Sequence, residues 1–299
     1  MLPNHRTVIF VVDKNTNAHQ FTNKLLEEGL IQSKSTLLTL MRWQDLTMRL
    51  KAGVYETKED ETVEQFVKRV ASGDVLKQKF SIIEGTTLNQ VISKLIDAPF
   101  LTYVSSNWKL IQNGYLNAEG LLLADTYTYD AGSDSKSLIL LANKKLKEFL
   151  DKAWQNRSDN LPYKEPYQLL IAASIVEKET SIAEERKLIA GVIVNRIHKN
   201  MPLQMDPTVI YALGLQYQGK LSHQDMSIKS AYNTYIQRGL PPTPIAMVGK
   251  EAILAAANPA QSNYLYFVAK GDGSHQFSAT YDEQKKAVYR YQKKANHGN

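Results

Sequence analysis

The chain has 299 residues, 43% hydrophobic and 22% charged, which is enough for one large or two ordinary domains and too apolar for disorder. Its formal charge is +6, but Lys and Arg are scattered and form no Arg-rich block, zinc-finger spacing or RNA-binding signature, so nucleic acid is disfavoured as a partner. The absence of Cys excludes disulfides, thiolate metal sites and a Cys nucleophile.

Residues 7–12 are β-branched and aromatic and predict a strand. Their apolar run, 8–12, is too short for a membrane span or a signal peptide, so the sequence as given predicts a soluble chain. Residues 19–29 predict a helix through Phe21, Leu25 and Leu26 that stops at Gly29, and a second helix follows over 33–46. A short unit then occurs twice. Residues 53–56 lead to Thr62 and a helix through Phe66 and Val70 that stops at Gly73. Residues 80–85 lead to Thr87 and a helix through Val91 and Leu95 to Pro99. Thr62 and Thr87 are N-cap residues, and the repeat describes a small α/β module.

From 103 to 152 the pattern is mixed, with a helix over 136–154. Pro166 suits the first turn of a helix over 167–180, and Ser181-Ile182-Ala183-Glu184 predicts a capping box that opens the next. Leu188, Ile189, Val192, Ile193 and Ile197 form the apolar stripe of that helix, which ends near Asn200 before Pro202. Asp206-Pro207 predicts a cap and first turn for a helix to Leu213. Pro241-Pro242-Thr243-Pro244 makes a rigid loop, and 264–270 predicts a buried strand that turns at Gly271-Asp272-Gly273.

Glu177 and Glu179 both sit against apolar neighbours on the helical wheel, and periodicity does not choose between them. A buried carboxyl is costly to ionise and stays a proton donor near neutral pH. The alternative is that both are paired with Arg186 or Arg196. Asn195 and Gln204 are neutral groups of the kind that read sugar hydroxyls and amides, and Tyr211, Tyr232, Asn233 and Tyr235 add stacking and hydrogen-bonding surface. His198, His223 and His275 have no metal-type spacing, and no Gly-rich phosphate loop or Ser-His-Asp pattern is present. No cofactor is expected.

Ser174-Ile175-Val176-Glu177-Lys178-Glu179-Thr180, Glu185-Arg186, Val194-Asn195-Arg196 and Met201-Pro202-Leu203-Gln204-Met205-Asp206-Pro207-Thr208-Val209-Ile210-Tyr211 resemble the YceG-like endolytic murein transglycosylases. Ala231-Tyr232-Asn233-Thr234-Tyr235, Gly239-Leu240-Pro241-Pro242, Asn258-Pro259, Tyr264-Leu265-Tyr266-Phe267-Val268 and Gly273-Ser274-His275-Gln276-Phe277 continue the resemblance from about residue 50 to the C-terminus. It departs at Thr243, usually Gly in the family, at Met247-Val248, often Asn-Pro, at Gln284, frequently His, and at Leu121-Leu122-Leu123-Ala124, usually aromatic and Pro-containing.

The resemblance implies an α+β fold, with a small LysM-like N-terminal module (about 50–99, within a region 1–99) before a larger mixed α/β catalytic domain over 100–299. It implies an enzyme that cuts peptidoglycan glycan strands internally at the MurNAc-β-1,4-GlcNAc bond and leaves 1,6-anhydro-MurNAc ends, limiting nascent strand elongation. It also implies that the first Glu of the motif, Glu177, is catalytic. Asn195, Gln204, Asp206, Tyr211, Tyr232 and Asn233 are the expected substrate-binding residues. Partners follow on the same ground: glycan strands, peptidoglycan synthases and divisome or elongasome proteins. So does a location at the periplasmic face of the inner membrane, through an N-terminal helix that the chain, starting at Met1, does not include. Two other readings stay open: a non-catalytic glycan-binding scaffold, and a hydrolase in which Asp206 is a second carboxylate activating water.

Overall fold

The computed structural model describes residues 7–293 and divides into two compact units that interleave in sequence. The first takes the chain up to 80 together with 93–105 and 126–138, and the second takes 81–92, 106–125 and 139 onward. The expected domain limits at residues 1 and 299 lie outside the described residues, and Pro99 falls inside a segment of the first unit. The architecture is α+β, with the named strands paired in two-stranded sheets.

In the first unit β1 (Ile9–Val12) pairs antiparallel with β2 (Gly53–Glu56), placing Phe10 opposite Tyr55. Alternation along β1 buries Phe10 and Val12. Helix α1 (Ala18–Glu27) starts with a capping box between Asn17 and Gln20, and Gly29 follows it in the left-handed region at φ +70°. Helix α2 (Lys34–Trp43) is capped by Ser33 and is shorter than the sequence pattern suggests. Helix α3 (Val63–Ser72) opens with a capping box between Thr62 and Gln65 and closes on Gly73 at φ +79°. Phe21 and Phe66 meet Phe10 edge-on at 5.6 and 5.7 Å, and Leu25, Met41 and Val70 fill the space around them. β3 (Lys77–Ser81) and β4 (Thr126–Asp130) form a second pair.

Helix α4 (Leu88–Ile96) begins in the second unit, where Thr87 and Gln90 exchange the same reciprocal bonds as Thr62 and Gln65. After α5 (Lys109–Gln112) and α6 (Lys136–Gln155) comes α7 (Pro166–Glu179), with Pro166 at its first position. Residues 169–176 of α7 are all buried, and a helix apolar on every side belongs in a core. It packs against α8 (Ala183–His198), α9 (Asp206–Leu213) and the Ala-rich α10 (Lys250–Ala257).

The capping box expected at 181–184 does not form. Ile182 is the cap residue, and its N–H donates to Thr180 Oγ1 at 3.0 Å, so Thr180 closes the α7–α8 turn instead. Asp206 likewise is not a cap: Met205 holds that position, Asp206 is the first helical residue, and its side chain is engaged elsewhere.

Where residues 259–262 cross α8, a Cβ on Gly191 would stand 2.6 Å from the Ala260 carbonyl oxygen. Gly191→Ala is therefore expected to cost roughly 1–3 kcal/mol of stability, read by chemical denaturation. The C-terminal hairpin pairs β5 (Tyr266–Ala269) with β6 (His275–Ser278), and Asp272 accepts from the Ser274 N–H at 2.9 Å in its turn. Only Val268 of β5 is fully buried, so the strand is less buried than the apolar run suggests. Helix α11 (Tyr281–Val288), capped by Thr280, follows. No helix among the described residues is long and apolar enough to cross a membrane.

Candidate active site

The last turn of α7 carries Glu177 and Glu179, and helical geometry sends their carboxyls to different surroundings. Glu177 turns to the start of α10, where its Oε2 accepts from the N–H of the cap residue Gly249 at 2.8 Å. The positive end of the α10 dipole favours an anion there. Arg186 stands 3.8 Å from Oε1, and the Glu177 side chain is only 5% exposed. Burial pushes this carboxyl up, the Gly249 bond opposes that, the Glu84 charge adds to it, and Arg186 and Lys178 oppose it. Glu177 is a buried carboxyl with Oε2 bonded to Gly249 and Oε1 within ion-pair distance of Arg186.

Glu179 faces a cavity of about 310 Å³ whose wall includes Gln204, Asp206, Tyr235, His275 and Gln284. Its Oε1 is buried and has no hydrogen-bond partner among the described residues. Burial pushes its carboxyl up to about 8, and the Asp206 charge adds to the rise. Near neutral pH this group therefore carries its proton and has an oxygen free to use it.

The shift has a consequence for stability. The folded carboxyl titrates near 8 against an ordinary 4.5, so its contribution is fully present below about 4.5 and is lost as pH rises through about 8. Gln mimics the protonated form and has no such loss. Glu179→Gln should match wild-type stability near pH 4 and exceed it by on the order of a few kcal/mol at pH 8, read as urea midpoints.

The far wall is a loop with its own scaffold. Gln204 adopts φ +52°, a left-handed conformation that costs a non-glycine residue on the order of 1 kcal/mol. Its N–H donates to the Thr234 carbonyl at 3.0 Å, and the buried hydroxyls of Thr208 and Thr234 meet at 2.9 Å alongside. Arg196 donates to the carbonyls of Leu265 (2.6 Å), Pro202 (3.0 Å) and Leu203 (2.9 Å), and to Gln204 Oε1 (3.0 Å). Arg196 thus ties the loop to the β5 approach, and burial holds its guanidinium below the usual range. Asp206 Oδ1 accepts from the Tyr235 hydroxyl at 2.5 Å.

The structure brings Gln204 and Asp206 to Glu179, but not the other expected binding residues. Asn195 donates to the carbonyls of Ser262 (2.8 Å) and Tyr264 (2.9 Å) and lines a separate cavity of about 490 Å³. That larger cavity has no buried carboxyl in its wall. Asn233 is fully buried, donates to the carbonyls of Met226 and Ile228 and accepts from the Tyr235 N–H, so it shapes the 226–235 loop.

Tyr211 donates to Glu119 Oε2 at 3.1 Å and packs on Tyr232 with ring centroids 4.9 Å apart, while Tyr232 bonds Thr243 at 2.9 Å. Burial pushes the Glu119 carboxyl up to about 7. Of the departures from the family pattern, Gln284 reaches the cavity wall, where its Nε2 donates to the Phe267 carbonyl. Thr243 is fully buried, held by Tyr232 and the Pro244 carbonyl.

Sequence reasoning gave Arg196 only the part of a carboxylate's partner and Glu119 none. The contacts that define both roles lie far along the chain, 69 residues for Arg196 and Leu265 and 92 for Glu119 and Tyr211.

An α+β core helix that ends in a buried carboxyl held protonated beside a polar cavity is an arrangement suited to acid–base chemistry on a polar substrate. The YceG-like family model matches residues 10–290, and the chain belongs to that family. It is 28% identical to a Bacillus subtilis (strain 168) protein named endolytic murein transglycosylase, over 95% of this chain and 85% of that one. It is also 28% identical to a protein of the same name from Streptococcus pneumoniae serotype 2 (strain D39), over 86% of this chain and 53% of that one, so it spans about half of that relative. The crystal structure of a YceG-like protein from Listeria monocytogenes superposes with a TM-score of 0.57 at 28% identity, covering 94% of this chain and 99% of the other.

Proposed function

We propose that the chain is an endolytic lytic transglycosylase of peptidoglycan, cleaving the MurNAc-β-1,4-GlcNAc bond within strands and leaving 1,6-anhydro-MurNAc ends. The observation that carries this reading is the Glu179 carboxyl, protonated near neutral pH, with a buried oxygen that lacks a hydrogen-bond partner among the described residues, on a residue lining a cavity walled by an amide, a second carboxyl and a phenol. Glu179, rather than the Glu177 named by the resemblance, is the general acid in this proposal. Glu177 anchors α10.

Glu179 gives its proton to the leaving glycosidic oxygen as the C1–O bond breaks. The muramyl 6-hydroxyl attacks C1 from within the same sugar and must lose its proton. The carboxylate left on Glu179 suffices to take it, so one carboxyl closes the cycle. Intramolecular attack draws its rate from proximity, which leaves the protein to hold the sugar and keep water from C1. Gln204 and Asp206 contact the sugar from the cavity wall, and Asn195, Asn233, Tyr211 and Tyr232 hold the surrounding loops.

A second reading, hydrolysis with Asp206 activating water, is favoured by one observation: Asp206 is a second carboxyl on the same cavity. Its Oδ1 is engaged by Tyr235, which favours a holding role. Cleavage in ¹⁸O-labelled water separates the two. The transglycosylase leaves products without label, and one ¹⁸O per cut would establish the hydrolase.

β2, α3, β3 and α4 then serve as a LysM-like glycan-binding module that limits where strands are cut, and so how far nascent strands grow. The support is the repeated strand and Thr-capped helix. By the family resemblance, the enzyme works at the outer face of the cytoplasmic membrane beside peptidoglycan synthases and division or elongation proteins.

A further inference from the structure

His275 opens β6 and lines the same cavity as Glu179. Its position is fixed twice by one carboxylate. Glu185, buried in the first turn of α8, accepts from the His275 backbone N–H at 2.8 Å and pairs with ring Nδ1 at 2.6 Å. Phe267 meets the ring edge-on at 5.3 Å and so fixes its plane. A carboxylate can only accept, so Nδ1 is the ring nitrogen that donates to it, which leaves Nε2 as the acceptor of a neutral ring, the arrangement by which a carboxylate prepares a histidine as a base. Nε2 has no hydrogen-bond partner among the described residues. The ionisable groups that share its cavity are Glu179 from α7, Arg196 from α8, Asp206 from α9, and Tyr235 and Tyr266.

We propose that His275, oriented by Glu185, is the base that takes the proton of the muramyl 6-hydroxyl. This inference rests on the transglycosylase reading above and divides between two groups the work that one carboxyl could do. In the step, Nε2 gains the hydroxyl proton, O6 bonds to C1, the C1–O bond to the leaving sugar breaks, and the Glu179 proton goes to that oxygen. The imidazolium and carboxylate so formed return to their starting states by exchanging one proton through water. Glu185 is a positioning residue.

The test is kcat/KM against pH on isolated glycan strands for wild type, His275→Gln and Glu185→Gln, with folding checked by circular dichroism. His275→Gln should lose roughly 10²-fold or more in kcat/KM and flatten the acid limb of the wild-type profile. Glu185→Gln can donate its amide to Nδ1, which moves the ring proton to Nε2 and should also depress kcat in a folded protein. Imidazole added to His275→Ala should restore part of the rate. A His275→Gln variant with wild-type turnover, or one that is slow but keeps the acid limb unchanged, overturns the proposal. Wild-type products without anhydro ends overturn the transglycosylase reading, and this proposal with it, before any variant is made.

Discussion

Glu179→Gln should slow glycan cleavage by roughly 10²–10⁴-fold while Glu177→Gln stays within a few-fold of wild type. Gln fills the space of the protonated carboxyl but has no proton to give the leaving oxygen. Asp206, the other carboxyl on the cavity, is bonded to Tyr235 and does not take its place. Glu177→Gln instead removes an anion from the start of α10 and a distant partner from Arg186. The expected cost is about 1 kcal/mol of stability, because a Gln oxygen still accepts from the Gly249 N–H. Single-turnover rates on purified strands, with urea midpoints for both variants, separate the two roles. The reverse pattern would return the acid to Glu177.

Arg196→Met should be the most damaging change outside the cavity. Arg196 is 6% exposed, and its guanidinium lies over Tyr266 at 5.1 Å while bonding the carbonyls of Leu265, Pro202 and Leu203 and the Gln204 side chain. Met preserves the apolar stem and donates nothing, so several buried acceptors lose their partner. The expected loss is at least ~3 kcal/mol. Gln204 sits in a left-handed conformation that these bonds help to hold, so its release should also lower kcat, on the order of 10²-fold if it moves by an ångström. Lys keeps the charge but lacks the planar fork, and Arg196→Lys should recover little of either loss. Denaturation midpoints and kcat for both substitutions check this.

Local signals in the sequence predict local structure well. Thr62 with Gln65, Thr87 with Gln90, Gly29, Gly73 and Pro166 act within a few residues, and each works as its chemistry predicts. Ser181 to Glu184 has the letters of a capping box, but Thr180 answers the Ile182 N–H instead, a competition that composition does not reveal. Helix α10 was not legible because it is buried on most sides and so carries no amphipathic stripe.

The site divides along the same line. That a buried carboxyl stands at 177 or 179 was legible, because carboxylates interrupt an apolar helix. Which of them faces a cavity was not, because α7 is buried all round over 169–176 and its apolar pattern gives neither carboxyl a distinct side. What distinguishes the two is supplied from afar, by the Gly249 N–H 72 residues beyond Glu177 and by the loop and hairpin residues around Glu179. Asn195 and Asn233 look like sugar-reading amides in sequence, yet both spend their donors on backbone carbonyls that only the tertiary fold brings near.

The most direct measurement is mass spectrometry of isolated glycan strands incubated with wild-type protein, Glu179→Gln and Glu177→Gln. Internal fragments with 1,6-anhydro-MurNAc ends from wild type and Glu177→Gln, and intact strands from a folded Glu179→Gln, are the predicted result. Anhydro-ended fragments from Glu179→Gln at the wild-type rate, or reducing ends from the wild type, would contradict it.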